Sequence, residues 1–135
     1  MKYLFLFYLI FYQGGNDISV HNAWMRPAPE TFNSAFYCTI INNSDKTDTL
    51  YKVTSAISDN VETHETYVKG DMIGMRAVKN LIIAPHDSLI FKPGGYHIMI
   101  MNLKENATAN TSKEMTLFFK KAGVIKVKAT VTSQH

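Results

Sequence analysis

The sequence holds one cysteine, Cys38, so no intrachain disulfide can form and no Cys-x-x-Cys metal or redox motif exists. It has no basic cluster larger than the pair Lys120-Lys121. Fourteen Lys and Arg against eleven Asp and Glu leave a net charge of only +3, which excludes a nucleic-acid footprint as the organising feature. No Ser/His/Asp grouping, carboxylate pair or Gly-rich phosphate loop is present to support an enzyme. Apolar runs are short too: the longest, residues 3–12, falls well below the ~20 residues a helix needs to cross a bilayer. What remains is a chain of 135 residues, 46% hydrophobic and 19% charged, which suits one globular core and argues against disorder.

The opening segment reads as an address. Lys2 supplies a minimal positive start, and residues 3–12 form an uncharged apolar stretch of secretory-signal length. The cleavage site is poor, with only Gly14 and Gly15 small, so residues 1–15 are expected to be a signal peptide or a short N-terminal anchor. A buried first strand is the competing reading, since Tyr and Phe favour sheets. Residues 16–135 are expected to form a single β domain. Export would place Cys38 in an oxidising compartment as an unpaired thiol.

Beyond residue 16 no helical period emerges. Short alternating or β-branched runs predict strands at about 18–24, 33–42, 48–55, 61–68, 72–78, 89–91, 96–101, 115–119 and 124–132. Turn chemistry separates them, as in Asn42-Asn43-Ser44-Asp45, Lys69-Gly70-Asp71 and Lys92-Pro93-Gly94-Gly95. Eight or nine short strands so spaced predict an antiparallel all-β Greek-key sandwich or barrel.

One stretch carries chemistry. In Gly94-Gly95-Tyr96-His97-Ile98-Met99-Ile100-Met101, strand alternation puts Tyr96, Ile98 and Ile100 on one face and His97, Met99 and Met101 on the other. The first set predicts core. The second sets an imidazole beside a thioether, about 7 Å apart at the backbone. Upstream, a hairpin centred near residue 70 pairs positions summing to about 139, which predicts His64 nearly opposite Met75. A lone His or Met in a strand is ordinarily surface or filler. Two His/Met pairs in a β chain expected to be exported carry more weight, and on spacing alone a soft-metal site and the ordinary roles both stay open.

These residues resemble the copper-binding signature of the periplasmic copper chaperone family PCu(A)C. The order His64, ten residues, Met75, twenty-one residues, His97, one residue, Met99 matches it. The flanks Val61-Glu62-Thr63-His64-Glu65, Met75-Arg76-Ala77-Val78 and Gly94-Gly95-Tyr96-His97-Ile98-Met99 match as well, within a similarity running from about residue 18 to 131. No Met- or His-rich tail follows beyond the terminal His135, so a second copper site is in doubt. The resemblance implies a cupredoxin-like β-barrel holding one Cu(I) ion near its surface through His64, Met75, His97 and Met99. It also implies delivery of that copper to cytochrome c oxidase assembly, at the oxidase copper subunit or through an intermediary thiol copper chaperone. Contact with a membrane is expected only through an uncleaved leader.

The ligand types suit such a task. Cu(I) is soft and accepts thioether and imidazole, whereas Zn prefers thiolate, imidazole or carboxylate. Thioethers need no deprotonation, so the imidazoles alone link binding to pH, and affinity is expected to fall in acid strong enough to protonate free imidazole, about pH 6.5. A blue-copper electron carrier would need a Cys ligand, yet Cys38 lies far upstream and shares parity with Phe36 and Ile40. It reads as a small buried hydrophobe, with a redox-sensitive thiol as the alternative. Met101 reads as packing or a substitute ligand, and Met72 as a lid or an exposed sulfur. His21 and His86 read as solvated and Trp24 as core at the barrel bottom. Glu62 shares the parity of His64 and is either an orienting acceptor or a surface charge. A copper buffer and a metal-free exported interaction module are the competing functions.

Overall fold

The structure is a computed structural model in which residues 17–133 are described. The expectation for residues 1–15 and the terminal His135 lie outside them. Regular structure among the described residues is all strand: β1 (Ile18–Met25), β2 (Ser34–Asn42), β3 (Asp48–Thr54), β4 (Asn60–Lys69), β5 (Met72–Ala77), β6 (Leu81–Ile83), β7 (Ser88–Phe91), β8 (His97–Met101), β9 (Ser112–Phe119) and β10 (Gly123–Val131). The nine expected runs all reappear. The extra strand is β6, a three-residue ribbon on β3 that is too short to show a period.

The strands join in the order β5-β4-β8-β2-β1-β10-β9-β3-β6, with β7 pairing along the second half of β2. All pairings between these strands are antiparallel except β1 with β10. The sheet curls so that β3 packs against β4, giving the barrel that the alternation predicted. Its interior is filled by Met25, Phe36, Ile40, Ile98, Ile100, Met115, Leu117 and Val131, all fully buried. Burying each such side chain is worth ~1.5–3 kcal/mol. Cys38 lies among them at 2% exposure, and that burial pushes its thiol up to about 12, so it is the small inert hydrophobe expected.

Buried polar groups tie the strand ends together. Asn42, at the end of β2, is fully buried, and its amide Nδ2 donates to Lys46 O at 2.8 Å and Ile83 O at 3.0 Å. Asp48 accepts from the backbone N–H groups of Lys121 and Ala122, clasping the β9–β10 turn.

Two local expectations are corrected. Lys69 pairs with Met72 across a two-residue loop opened by Gly70 at φ +62, so paired positions sum to 141. Met75 therefore stands opposite Thr66, and His64 opposite Ala77. Parity is unchanged, so His64 and Met75 still share a face, as diagonal rather than direct neighbours. Trp24 is buried but outside the main core. It forms a separate cluster with Ala35 and Tyr37 on the opposite face of the sheet, because β1 is apolar on both faces at this end.

Candidate metal centre

The consecutive strands β5, β4, β8, β2 and β1 display one continuous face away from the core. Across it, His64 on β4 is paired with Ala77 on one side and His97 on the other. One step along, Glu62 is paired with Met99, which is paired in turn with Ala35. One step in the other direction, Thr66 is paired with Met75. Facing residues on antiparallel strands project to the same side, and diagonal neighbours lie about 7–8 Å apart at Cα. The strand register thus brings all four expected ligands to one face, with the two histidines side by side and one methionine on either diagonal of His64.

The imidazole rings of His64 and His97 lie 5.7 Å apart, centroid to centroid, at 63°. Each is held by one nitrogen. His64 Nε2 is 2.9 Å from Glu62 Oε1, and His97 Nδ1 is 3.1 Å from Gly95 O. Both partners are acceptors only, so these nitrogens donate and carry the protons. The lone pairs then fall on His64 Nδ1 and His97 Nε2. Both atoms are buried and have no hydrogen-bond partner, and no other buried side-chain nitrogen or oxygen among the described residues shares that condition. A buried, unsatisfied acceptor costs ~1–3 kcal/mol. Two such acceptors on adjacent rings, each oriented from behind by a second partner, form the pattern of ligating histidines.

The surroundings set the character of the site. His97 is only 5% exposed, and Met99 packs against Trp24, Ala35 and Tyr37. The Trp24 and Tyr37 ring centroids lie 4.7 Å apart at a 34° tilt, and the Arg26 guanidinium lies over both while its Nε donates to Tyr37 Oη at 3.3 Å. On the other side Met75 is 56% exposed on β5, the edge strand. Among the described residues no cluster of three or more His, Cys, Asp or Glu could hold a metal. Beside the single carboxylate of Glu62, the face gathers imidazole nitrogen and thioether sulfur, a donor set that suits a soft monovalent ion.

Several neighbours of the site differ from, or go beyond, the sequence reading. Glu62 is an orienting acceptor. Gly95 O, which also accepts from Thr66 Oγ1 at 3.2 Å, is the support for His97 that the pattern did not reveal. Met101 lies at the far end of β8, where Asn60 Nδ2 donates toward its sulfur at 3.5 Å. Met72, 69% exposed, has the opposite parity to Met75 and does not cover the site. His21 is exposed beside Ser19, and His86 is exposed against Asp45.

The family described as "Putative lipoprotein LpqE-like" matches residues 18–131. The chain belongs to the LpqE-like family. Among curated relatives of this LpqE-like chain, an uncharacterized protein of Rickettsia prowazekii is 31% identical over 110 residues, covering 76% of the chain and 61% of the relative. A protein of Leifsonia xyli subsp. xyli described as a putative lipoprotein is 30% identical over 105 residues, covering 77% and 63%. The chain thus spans about three-fifths of the length of these relatives. Among solved structures, the copper-bound PCuAC domain from PmoF2 superposes with a TM-score of 0.71 at 24% identity, over 87% of this chain and 94% of that one. The Cu(I)-bound solution structure of DR1885 from Deinococcus radiodurans gives 0.66 at 25% identity, over 85% and 79%. The cupredoxin-like fold and the resemblance to PCuAC domains are both borne out.

Proposed function

We propose that this LpqE-like protein is a non-enzymatic carrier of one Cu(I) ion, held by His64, Met75, His97 and Met99. The observation that supports it is the pair of buried, unpartnered nitrogens, His64 Nδ1 and His97 Nε2, on the same face as two thioethers. Copper in the related PCuAC structures agrees with this donor chemistry. The ion is cargo. Without a thiolate among its ligands it can pass by ligand exchange to a Cys-rich acceptor, because thiolate is a better ligand for Cu(I) than thioether. The acceptor in this reading is the cytochrome c oxidase copper subunit or an intermediary thiol copper chaperone, met in the periplasm. Cys38 is buried in β2, and in this reading it takes no part in the transfer.

A competition titration with a Cu(I) chelator tests the binding. One equivalent should bind tightly to the wild type, and Met99→Ile should weaken it strongly. No measurable binding would leave a metal-free module. Transfer of the ion to a purified oxidase copper domain then separates carrier from buffer.

A further inference from the structure

The sulfurs of this chain are protected very unequally. Met25 and Met115 are fully buried, and Met99 and Met101 are half-buried among packed neighbours. Among the described residues only Met72, 69% exposed, and Met75, 56% exposed, offer their thioethers openly to water. They lie three residues apart on β5, at the free edge of the sheet, and on opposite faces: Met75 shares the face of His64, and Met72 does not. Of the four ligands proposed above, the two histidines and Met99 are sheltered while Met75 is open.

We propose that Met75 is a site of reversible two-electron oxidation that switches off metal uptake by the empty protein, and that a bound ion protects it. The inference rests on the ligand set proposed above. With hydrogen peroxide as oxidant, the Met75 sulfur lone pair attacks one oxygen, an S–O bond forms and the O–O bond breaks. Sulfur loses two electrons, and the leaving hydroxide takes the proton of the transferred hydroxyl and departs as water. The sulfoxide is polar and no longer a thioether, so the soft donor set loses one member. Because the Met75 side chain lies at the surface, the change leaves the barrel core untouched. When an ion is bound, the same lone pair is engaged in coordination and unavailable for attack. Met72 serves as an internal reference, since it has equal or greater access to oxidant and no role in the site.

The test uses Ag(I), a soft monovalent ion that does not cycle with the oxidant as Cu(I) would. The empty and Ag(I)-loaded proteins are treated with limiting hydrogen peroxide in chloride-free buffer. Trypsin cleavage after Lys69 and Arg76 releases residues 70–76, which contain both methionines, and fragmentation mass spectrometry separates them. In the empty protein the two should oxidise at similar rates. Loading should slow Met75 about tenfold or more and leave Met72 unchanged. Oxidised Met72→Leu protein should bind Ag(I) about tenfold or more weakly than its untreated form, and treatment with a methionine sulfoxide reductase should restore it. In Met75→Leu, oxidant should leave the residual affinity unchanged. Equal Met75 oxidation with and without stoichiometric Ag(I), or undiminished affinity of the oxidised Met72→Leu protein, would overturn the inference. Failure of the untreated wild type to bind Ag(I) or Cu(I) would instead overturn the carrier reading.

Discussion

Replacing Glu62 with alanine probes how the site is oriented without touching a ligand. Glu62 Oε1 accepts from His64 Nε2 at 2.9 Å, which keeps the proton on Nε2 and the lone pair on Nδ1. Losing such an outer partner ordinarily weakens metal binding ~10–100-fold. The Glu62 side chain is 43% exposed, so water can take over part of its role. The expected loss therefore sits at the lower end, about 10–30-fold, or ~1.4–2 kcal/mol. Glu62→Gln keeps a carbonyl acceptor at the same reach and should lose less than about fivefold. Anaerobic competition with a chromophoric Cu(I) chelator reads all three proteins. The decisive comparison is a double-mutant cycle: in a His64→Ala background Glu62→Ala should change affinity by less than about twofold. Equal losses in both backgrounds, or a Gln variant as weak as the Ala variant, would refute the orienting role and make the carboxylate a general electrostatic contributor.

Three other outcomes follow from the same coordinates. Asn42→Ala strips the buried Ile83 carbonyl and the partly buried Lys46 and Ala84 carbonyls of their donor and should cost ~1–3 kcal/mol in urea unfolding, with copper affinity unchanged after correction for the unfolded fraction. The Cys38 thiol should resist iodoacetamide at pH 8 in the native chain and react once urea unfolds it. Its raised pKa of about 12 means that above pH 9 the unfolded thiol loses its proton first, so stability contributed by Cys38 is intact below pH 9 and falls by up to ~1.4 kcal/mol per pH unit up to about pH 12. Comparing wild type with Cys38→Ala at pH 8 and pH 10 isolates that slope. Finally, Trp24 is the sole tryptophan and shares a cluster with Met99, so Cu(I) loading should quench its fluorescence at one equivalent. Stoichiometric binding without any change in emission would place the ion away from Met99.

Much of this was legible in the chain because strands encode faces directly. The alternation in Tyr96-His97-Ile98-Met99-Ile100-Met101 separated the residues facing the core from those on the opposite face, and the parity of Phe36, Cys38 and Ile40 identified the buried thiol. What alternation cannot encode is register along the partner strand. The Gly70-Asp71 loop shifted the β4–β5 pairing by two in its sum, turning a direct His64–Met75 pair into a diagonal one. Nor does it say which of two apolar layers a residue joins. Trp24 is buried as expected, yet it packs beside Met99 instead of in the barrel interior, since Ala35 and Tyr37 make a second hydrophobic layer outside the main one. The Gly95 carbonyl behind His97 was invisible because a backbone acceptor leaves no mark in the sequence. The strand β6 was missed because three residues carry no period.

The four candidate ligands all lie on the side of the sheet away from the packed interior, and none of them contributes to the cluster that fills the barrel. If the protein works as the carrier proposed above, it is a finished molecule even when empty. Unlike a small metal-nucleated domain, it can wait unladen without collapsing, and the free energy of loading is not spent on building the container. Scarcity of the ion would lower the number of full carriers but not the number of intact ones, so a cell can hold a standing reserve of capacity in advance of supply.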